Sequence, residues 1–387
     1  MGILGLAWRN IPEIAGLAVA VWIQLLLRRW LLESHAAKRW PPVRRAIRIA
    51  TALLTAWVVY GFLSNFPFAY LRLPSSSFVA WLRGSALAWS MASIVAFLLL
   101  PVYRLAPRFS GKRRVLVRAA GSALLAAPFA GMGFGIFIGR HDLRVREVDV
   151  PIPQLPRDLD GLRLVQISDI HLSPFLSERE LERAVGMANE LRAHLALVTG
   201  DLITGQGDPL DACLRQLARL RADAGILGCL GNHEIYARSE NATTSGGARL
   251  GIRFLRQQSR QLRFGNATLN ISGVDYQRMG MRYLAGAGKL LAPGMTNLLL
   301  SHNPDVFGVS SQMGFNLTIS GHTHGGQVNV EILHQNLNVV RFFTPFTYGL
   351  YRLGPAALWV TRGIGTVGVP ARIGAPPEIA LLRLCAT

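Results

Sequence analysis

The chain has 387 residues, half of them hydrophobic, with 41 Lys and Arg against 22 Asp and Glu. Its mean hydropathy is positive, too apolar for an ordinary soluble protein, and implies a membrane part. Sixteen of the basic residues and only two of the acidic ones fall in residues 1–139, where they flank apolar segments; they read as topology signals or as contacts for anionic lipid headgroups, not for nucleic acid.

Residues 1–139 read as a transmembrane helical anchor of about four spans. The apolar stretches are 11–27, 47–66, 79–103 and 115–138. The last three approach or exceed the ~20 residues that cross a ~30 Å hydrocarbon core. The first is shorter and contains Glu13. Arg28, Arg29, Lys38, Arg39, Arg44, Arg45 and Arg48 separate the first two stretches, and Arg104, Arg108, Lys112, Arg113 and Arg114 separate the last two. The intervening connection holds only Arg72 and Arg83. The positive-inside rule puts both basic loops in the cytoplasm, so everything after residue 138 faces outward. A cell-membrane, multi-pass protein with its globular part on the periplasmic or extracellular face is expected. Glu13 alone offers little for ion coupling, which argues for an anchor over a transporter.

Residues 140–160 read as a linker, and 161–387 as one globular domain. Short apolar runs at 162–168, 195–199, 226–230, 269–274, 297–301 and 317–320 read as buried strands. Ser177 with Glu180 forms a capping box that opens a helix to about residue 193. Asp208 and Pro209 start a second helix. Alternating strands and helices imply an α/β sheet covered on both faces. Residues 236–265 read as a polar, basic surface loop or cap. Cys229 sits in a strand and reads as a small buried hydrophobe; an exported domain would permit a Cys213–Cys229 bond.

Five strand-like runs end in residues able to bind a divalent metal. These are Asp169-Ile170-His171, Gly200-Asp201, Gly231-Asn232-His233-Glu234, Ser301-His302 and Gly321-His322-Thr323-His324. Ligands in such sheets gather at the carboxyl ends of strands. Asp169, Asp201 and Asn232 offer oxygen; His171, His302, His322 and His324 offer imidazole. That mixture suits Mn, Fe or Zn better than Mg or Ca. Two such ions, ~3.5–4 Å apart, hold a bridging hydroxide that attacks phosphate esters. Asp201 is the expected bridge between them. His233 adjoins a ligand and is the expected catalytic residue, protonating the leaving oxygen or stabilising charge. Glu234 reads equally as a support or a surface carboxylate. His35, His141, His194 and His334 have no companions and no expected role.

These residues resemble the calcineurin-like metallophosphoesterase family, whose D-x-H, G-D, G-N-H-[DE], H and G-H-x-H pattern is matched at every position over about residues 160–330. The resemblance implies a four-layer αββα sandwich. It implies one metal on Asp169, His171, Asp201 and His324, a second on Asp201, Asn232, His302 and His322, and a catalytic His233. The tail Arg362-Gly363-Ile364-Gly365, Pro370-Ala371-Arg372 and Pro377-Glu378-Ile379 is similar to the YkuE/YaeI-type branch, envelope-associated phosphodiesterases that often carry amino-terminal membrane segments. Arg372 reads either as a bidentate hand for substrate phosphate or as a structural partner of Glu378.

The expected function is hydrolysis of a phosphodiester or pyrophosphate bond in an envelope or lipid-linked substrate. One alternative is the pyrophosphohydrolase of UDP-2,3-diacylglucosamine in lipid A synthesis, disfavoured because that substrate is cytosolic. Arg249, Arg253, Arg256 and Arg260 suit phosphate contacts, yet a four-span anchor makes a nuclease a poor expectation. A non-catalytic metal-bound scaffold is the rival of another class, and the full set of ligands with His233 argues against it.

Overall fold

The computed structural model describes residues 11–64, 76–104, 111–278, 280–332 and 335–387. Arg72, Arg108 and His334, and the end of the second apolar stretch, lie outside them. Contacts divide the chain into two units: Met1–Phe137 with Gly368–Ala371, and Ile138–Val367 with Arg372–Thr387.

The first unit is helical: α1 (Ile11–Leu32), the short α2 (His35–Arg39), α3 (Pro41–Leu63), α4 (Ser77–Arg104) and α5 (Gly111–Phe137). Four segments, Ile14–Leu32, Pro41–Leu63, Ser77–Pro101 and Ala119–His141, are long and apolar enough to cross a membrane. α1 continues past residue 27 because Trp30, Leu31 and Leu32 extend its apolar surface beyond Arg28 and Arg29, whose long stems tolerate that position. α3 begins before residue 47 because Pro41 is pre-set for a first helical turn. The Trp57 indole donates to the Leu82 carbonyl at 2.9 Å, tying α3 to α4.

The second unit contains two mixed six-stranded sheets. The first has the order β1 (Arg144–Ile152), β14 (Glu378–Ala386), β2 (Arg163–Ile167), β3 (Leu195–Thr199), β4 (Ile226–Cys229) and β5 (Ile252–Phe254). The second runs β12 (Gly349–Leu353), β13 (Ala356–Val360), β9 (Leu317–Ser320), β8 (Thr296–Leu300), β7 (Ala267–Gly273) and β6 (Gln258–Phe264). β2, β3, β4 and β5 are parallel neighbours, as are β7, β8, β9 and β13. β10 (Asn329–Ile332) and β11 (Gln335–Asn338) form a separate hairpin.

The inner faces of the two sheets share one core, with Leu164, Leu197, Leu227, Leu298, Leu317 and Trp359 among its members. On the outer face of the first sheet pack α6 (Glu178–Glu190) and α7 (Leu210–Leu217), burying Leu181, Val185, Leu214 and Leu217. Phe315, Val306 and Leu290 cover the second sheet from outside, beside α10 (Phe307–Met313). The result is the expected four-layer α/β sandwich.

Three details differ from the sequence reading. Residues 140–160 are no simple linker: β1 pairs in parallel with β14, Arg144 opposite Glu378 through Ile152 opposite Ala386. Residues 236–265 are structured: they follow α8 (Asn232–Tyr236) and contain α9 (Glu240–Arg249), β5 and β6. α9 packs Gly246 against Leu214 and Gly247 against Phe254, contacts that a charge count does not show. The capping box on Ser177 forms, but α6 stops at Glu190, because Arg192 turns left-handed (φ 47°). Cys213 and Cys229 are buried and unbonded.

A buried polar link joins the sheets. The Trp359 indole donates to Gln166 Oε1 at 2.9 Å, and Gln166 Nε2 donates to Thr199 Oγ1 at 2.7 Å and to the Ser320 carbonyl at 3.1 Å. Trp359→Phe should cost about 1–3 kcal/mol, because Gln166 Oε1 loses its donor in a dry core. Trp359→Ala should cost about 3–5 kcal/mol. Denaturant unfolding of the purified chain, followed by far-ultraviolet circular dichroism, checks both; a Trp359→Phe variant as stable as the native chain would show that the indole N–H contributes nothing.

Candidate metal centre

Strands β2, β3 and β4 of the first sheet and β8 and β9 of the second end at the same edge, and each of the five motifs follows one of them. Past its strand, the chain makes a sharp turn. Asp169, His171, Asp201, His322 and His324 all take left-handed backbone conformations, with φ of 51°, 47°, 54°, 76° and 52°. Each such residue carries strain of order 1–3 kcal/mol, which persists only where the surroundings impose it. Here the loops brace one another. Asp169 N donates to the Gly200 carbonyl, His171 N to the Asp201 carbonyl, and Gly365 N to the Asp169 carbonyl, at 3.1, 3.0 and 2.7 Å.

The turns aim the side chains at two adjoining points. Asp169, His171, Asp201 and His324 have ligand atoms within 4.8 Å of one another; Asp201, His302 and His322 form a second such group. Asp201 belongs to both. Its Oδ2 lies 3.0 Å from His302 Nε2 and 3.5 Å from His171 Nε2. His324 Nε2 lies 3.1 Å from His171 Nε2 and 3.5 Å from Asp169 Oδ1. Among the described residues, Asp169 Oδ2, Asn232 Oδ1 and His302 Nε2 are buried without any hydrogen-bond partner. Buried polar atoms are rarely left so. Oxygen and imidazole atoms that are buried, convergent and orphaned fit divalent cations, and the domain is a metal-binding one.

Surrounding groups fix each ligand's orientation. His302 Nδ1 meets the Thr199 carbonyl at 2.7 Å, which makes it the donor and turns Nε2 toward Asp201. Asp201 Oδ1 accepts from His233 N at 2.9 Å, and Asp169 Oδ1 from His322 N at 2.8 Å. Glu234 is fully buried: it accepts from the backbone N–H of Asp201, Leu202 and Gly231 at 2.9, 2.8 and 2.7 Å. It is therefore a support and no surface carboxylate. Gly231 and Gly321 lie so close to Asp201 Oδ1 and Asp169 Oδ2 that a Cβ on either would collide with the carboxylate.

Burial and charge set the protonation of the metal-free site. Burial pushes Asp169 up to about 6. It pushes His171 down to about 3 and His322 to about 4, and holds His324 well below its usual range. His302 goes the other way: burial alone would lower it, but Asp201 and Asp169 override that and raise it to about 10. Asp201 is held well below the carboxylate range because His302 outweighs its burial.

His233 lies beside the first group, its ring edge-on to His171 with centroids 4.6 Å apart. Its Nδ1 faces the Thr204 carbonyl at 2.6 Å, which leaves Nε2 free. Arg372 is neither a phosphate hand nor the partner of Glu378. It is 1% exposed, and its guanidinium donates to the carbonyls of Gly365, Ala375, Arg362 and Gly363 at 3.0, 3.1, 2.8 and 3.2 Å. Arg362 pairs with Glu378 instead, at 3.3 Å. Arg256 is also committed, in a bidentate pair with Asp275. Tyr276 went unnoticed in the sequence; its hydroxyl lies 3.5 Å from His322 Nε2. It follows β7 with no ligand motif around it, so no local signal marked it.

Comparison with known proteins agrees with this geometry. Residues 162–326 match the model of the calcineurin-like phosphoesterase family. A Danio rerio "transmembrane protein with metallophosphoesterase domain" is 29% identical over 265 residues, covering 65% of this chain and 59% of its own length. The YkuE metallophosphoesterase of Bacillus subtilis is 28% identical over 285 residues, covering 71% of this chain and 98% of itself. The Bacillus subtilis protein YpbG is 32% identical over 232 residues, covering 58% of this chain and 81% of itself. The chain thus spans about three-fifths of the first of these relatives. It is a membrane protein of the calcineurin-like metallophosphoesterase family, YkuE-like, and its domain is a metal-dependent phosphoester hydrolase.

Proposed function

We propose that the protein is a membrane-anchored phosphodiesterase with two divalent ions, Mn, Fe or Zn, acting on the outer face on an envelope or lipid-linked phosphodiester or pyrophosphate. The observation that carries this reading is the pair of ligand groups sharing Asp201, with orphaned atoms on Asp169, Asn232 and His302. Asp169, His171, Asp201 and His324 hold one ion; Asp201, Asn232, His302 and His322 hold the other. When bound, such ions polarise a phosphoryl oxygen and make water nucleophilic at neutral pH.

The chain's own residues do the rest. Asp201, common to both ligand groups, sets their spacing. Glu234, through three backbone N–H bonds, holds the Asp201 turn. Donation from Nδ1 to the Thr204 carbonyl fixes the His233 ring, so Nε2 is the atom that passes a proton to the leaving oxygen. The outer-face placement rests on the loop charges: five basic residues between the last two spans and seven between the first two.

Asp201→Ala should lose both metal and turnover of bis(p-nitrophenyl) phosphate. His233→Ala should keep its metal, read by atomic absorption, while kcat falls about 10²–10⁴-fold. Full activity in either variant overturns the assignment.

Metal loading should also show a definite proton balance. In the metal-free site His302, raised to about 10, carries a proton at neutral pH, whereas His171 and His322 do not. A ligand must shed its proton, so loading near neutral pH should release at least about one proton per protein, and affinity should climb as pH rises. Below about 6, Asp169 adds a second competing proton. Calorimetric titration in buffers of different ionisation enthalpy measures the release; none at all would remove His302 from the ligand set.

Sidedness is read with Ser245→Cys on the exposed face of α9, in a background lacking Cys385, the partly exposed thiol. A membrane-impermeant thiol reagent should label intact cells. Labelling only after lysis would put the site in the cytoplasm and favour the UDP-linked lipid substrate.

A further inference from the structure

The helical unit contains a cavity of about 680 Å³ between α1, α4 and α5, lined by Trp22, Leu26, Phe97, Leu100, Leu125 and Phe129 among others. Its size is that of a small-molecule site, and its walls are almost wholly apolar. A second recess of about 490 Å³ adjoins it, sharing Arg29 and Glu33 and adding Arg28, Lys38 and Arg44. The two meet at the end of α1, near the turn that follows it. There the Ser34 side chain accepts from Ala37 N and caps α2, reversing the chain so that Lys38 and Arg44 return beside Arg28 and Arg29.

The charge balance of this corner is uneven. Glu33 is its one carboxylate among the described residues, and it is already paired with Arg29 at 3.2 Å. Arg28, Lys38 and Arg44 have no carboxylate within ion-pair distance among the described residues. An apolar slot in a lipid-facing bundle that ends in three uncompensated cations is complementary to one kind of molecule: acyl chains below an anionic phosphate. The slot offers acyl chains the same apolar surroundings as the bilayer, and basic pockets between membrane helices select anionic headgroups.

We propose that the helical unit binds one anionic phospholipid, its acyl chains in the cavity between α1, α4 and α5 and its phosphate against Arg28, Arg29, Lys38 and Arg44. The site lies at the end of α1 that carries the first basic loop. It contains none of the metal-ligand residues and does not depend on the hydrolytic reading.

The test is native mass spectrometry of the full chain in mild detergent, after incubation with matched amounts of palmitoyl-oleoyl phosphatidylglycerol or phosphatidylcholine. One phosphatidylglycerol should stay bound where phosphatidylcholine is lost. The double change Lys38→Gln, Arg44→Gln, on exposed positions, should weaken phosphatidylglycerol retention by about tenfold and leave phosphatidylcholine unchanged. Ala126→Phe, which fills the cavity from α5, should also reduce phosphatidylglycerol retention. Equal retention of the two lipids by the native chain overturns the proposal. So does native-like phosphatidylglycerol retention in the double variant, whose two side chains are exposed. No turnover is measured, so failure here leaves the phosphodiesterase reading standing.

Discussion

Two fully buried carboxylates, Asp169 and Asp201, stand within reach of one buried imidazole, His302, and the rest of the second unit is arranged around that arrangement. Removing such charges from water costs several kcal/mol each unless a cation or strong donors face them. Without metal, His302 is the only partner held positive, while Asp169 drifts up to about 6. The other imidazoles are driven neutral by the same burial, which is the form in which they bind metal. The site is therefore electrostatically incomplete in a definite way: it lacks positive charge, at two adjoining points, where oxygen and nitrogen lone pairs already converge.

That demand explains the irregular backbone at the sheet edge. A regular strand would put Asp169 and His171, two residues apart, on one face but about 7 Å apart along the chain, so they converge on one point only by leaving the strand. Left-handed turns at five of the expected ligands do this. The cost is offset by cross-braces that belong to distant parts of the chain. Glu234 holds three N–H groups, and Arg372 clamps the carbonyls of the 362–375 loop. The loop in turn supplies the Gly365 N–H to Asp169. Both charged side chains are spent on backbone and neither reaches substrate.

The central strands were legible because they are short, buried and β-branched or leucine-rich, and each ends in a run of ligand-type residues. β3 and β9 have the expected bounds. What escaped was of two kinds. β1 is exposed or half-buried over most of its length, reads as charged and Pro-bearing, and is held by β14, more than two hundred residues away; no local pattern announces a parallel partner at that separation. Arg372 was visible as a residue and misread in role, since a buried arginine that donates to carbonyls and to His324 Nδ1 looks, in sequence, like one awaiting phosphate. Tyr276 was invisible for the opposite reason, being a lone aromatic whose place beside His322 depends on where β7 and β9 stop.

The braces also bear on how the site works. A catalyst gains most from donors and charges that need not move as the reaction proceeds. Three ligands are held by backbone before any ion arrives: His302 by the Thr199 carbonyl, Asp169 by His322 N, and Asp201 by His233 N. His233 is held on one side by Thr204 and tied through its own N–H to Asp201. A shift of the Asp201 carboxylate therefore moves the His233 backbone with it. The residue assigned to proton transfer keeps its register with the carboxylate common to both ligand groups, and that coupling is built into a single helical turn, Asn232–Tyr236.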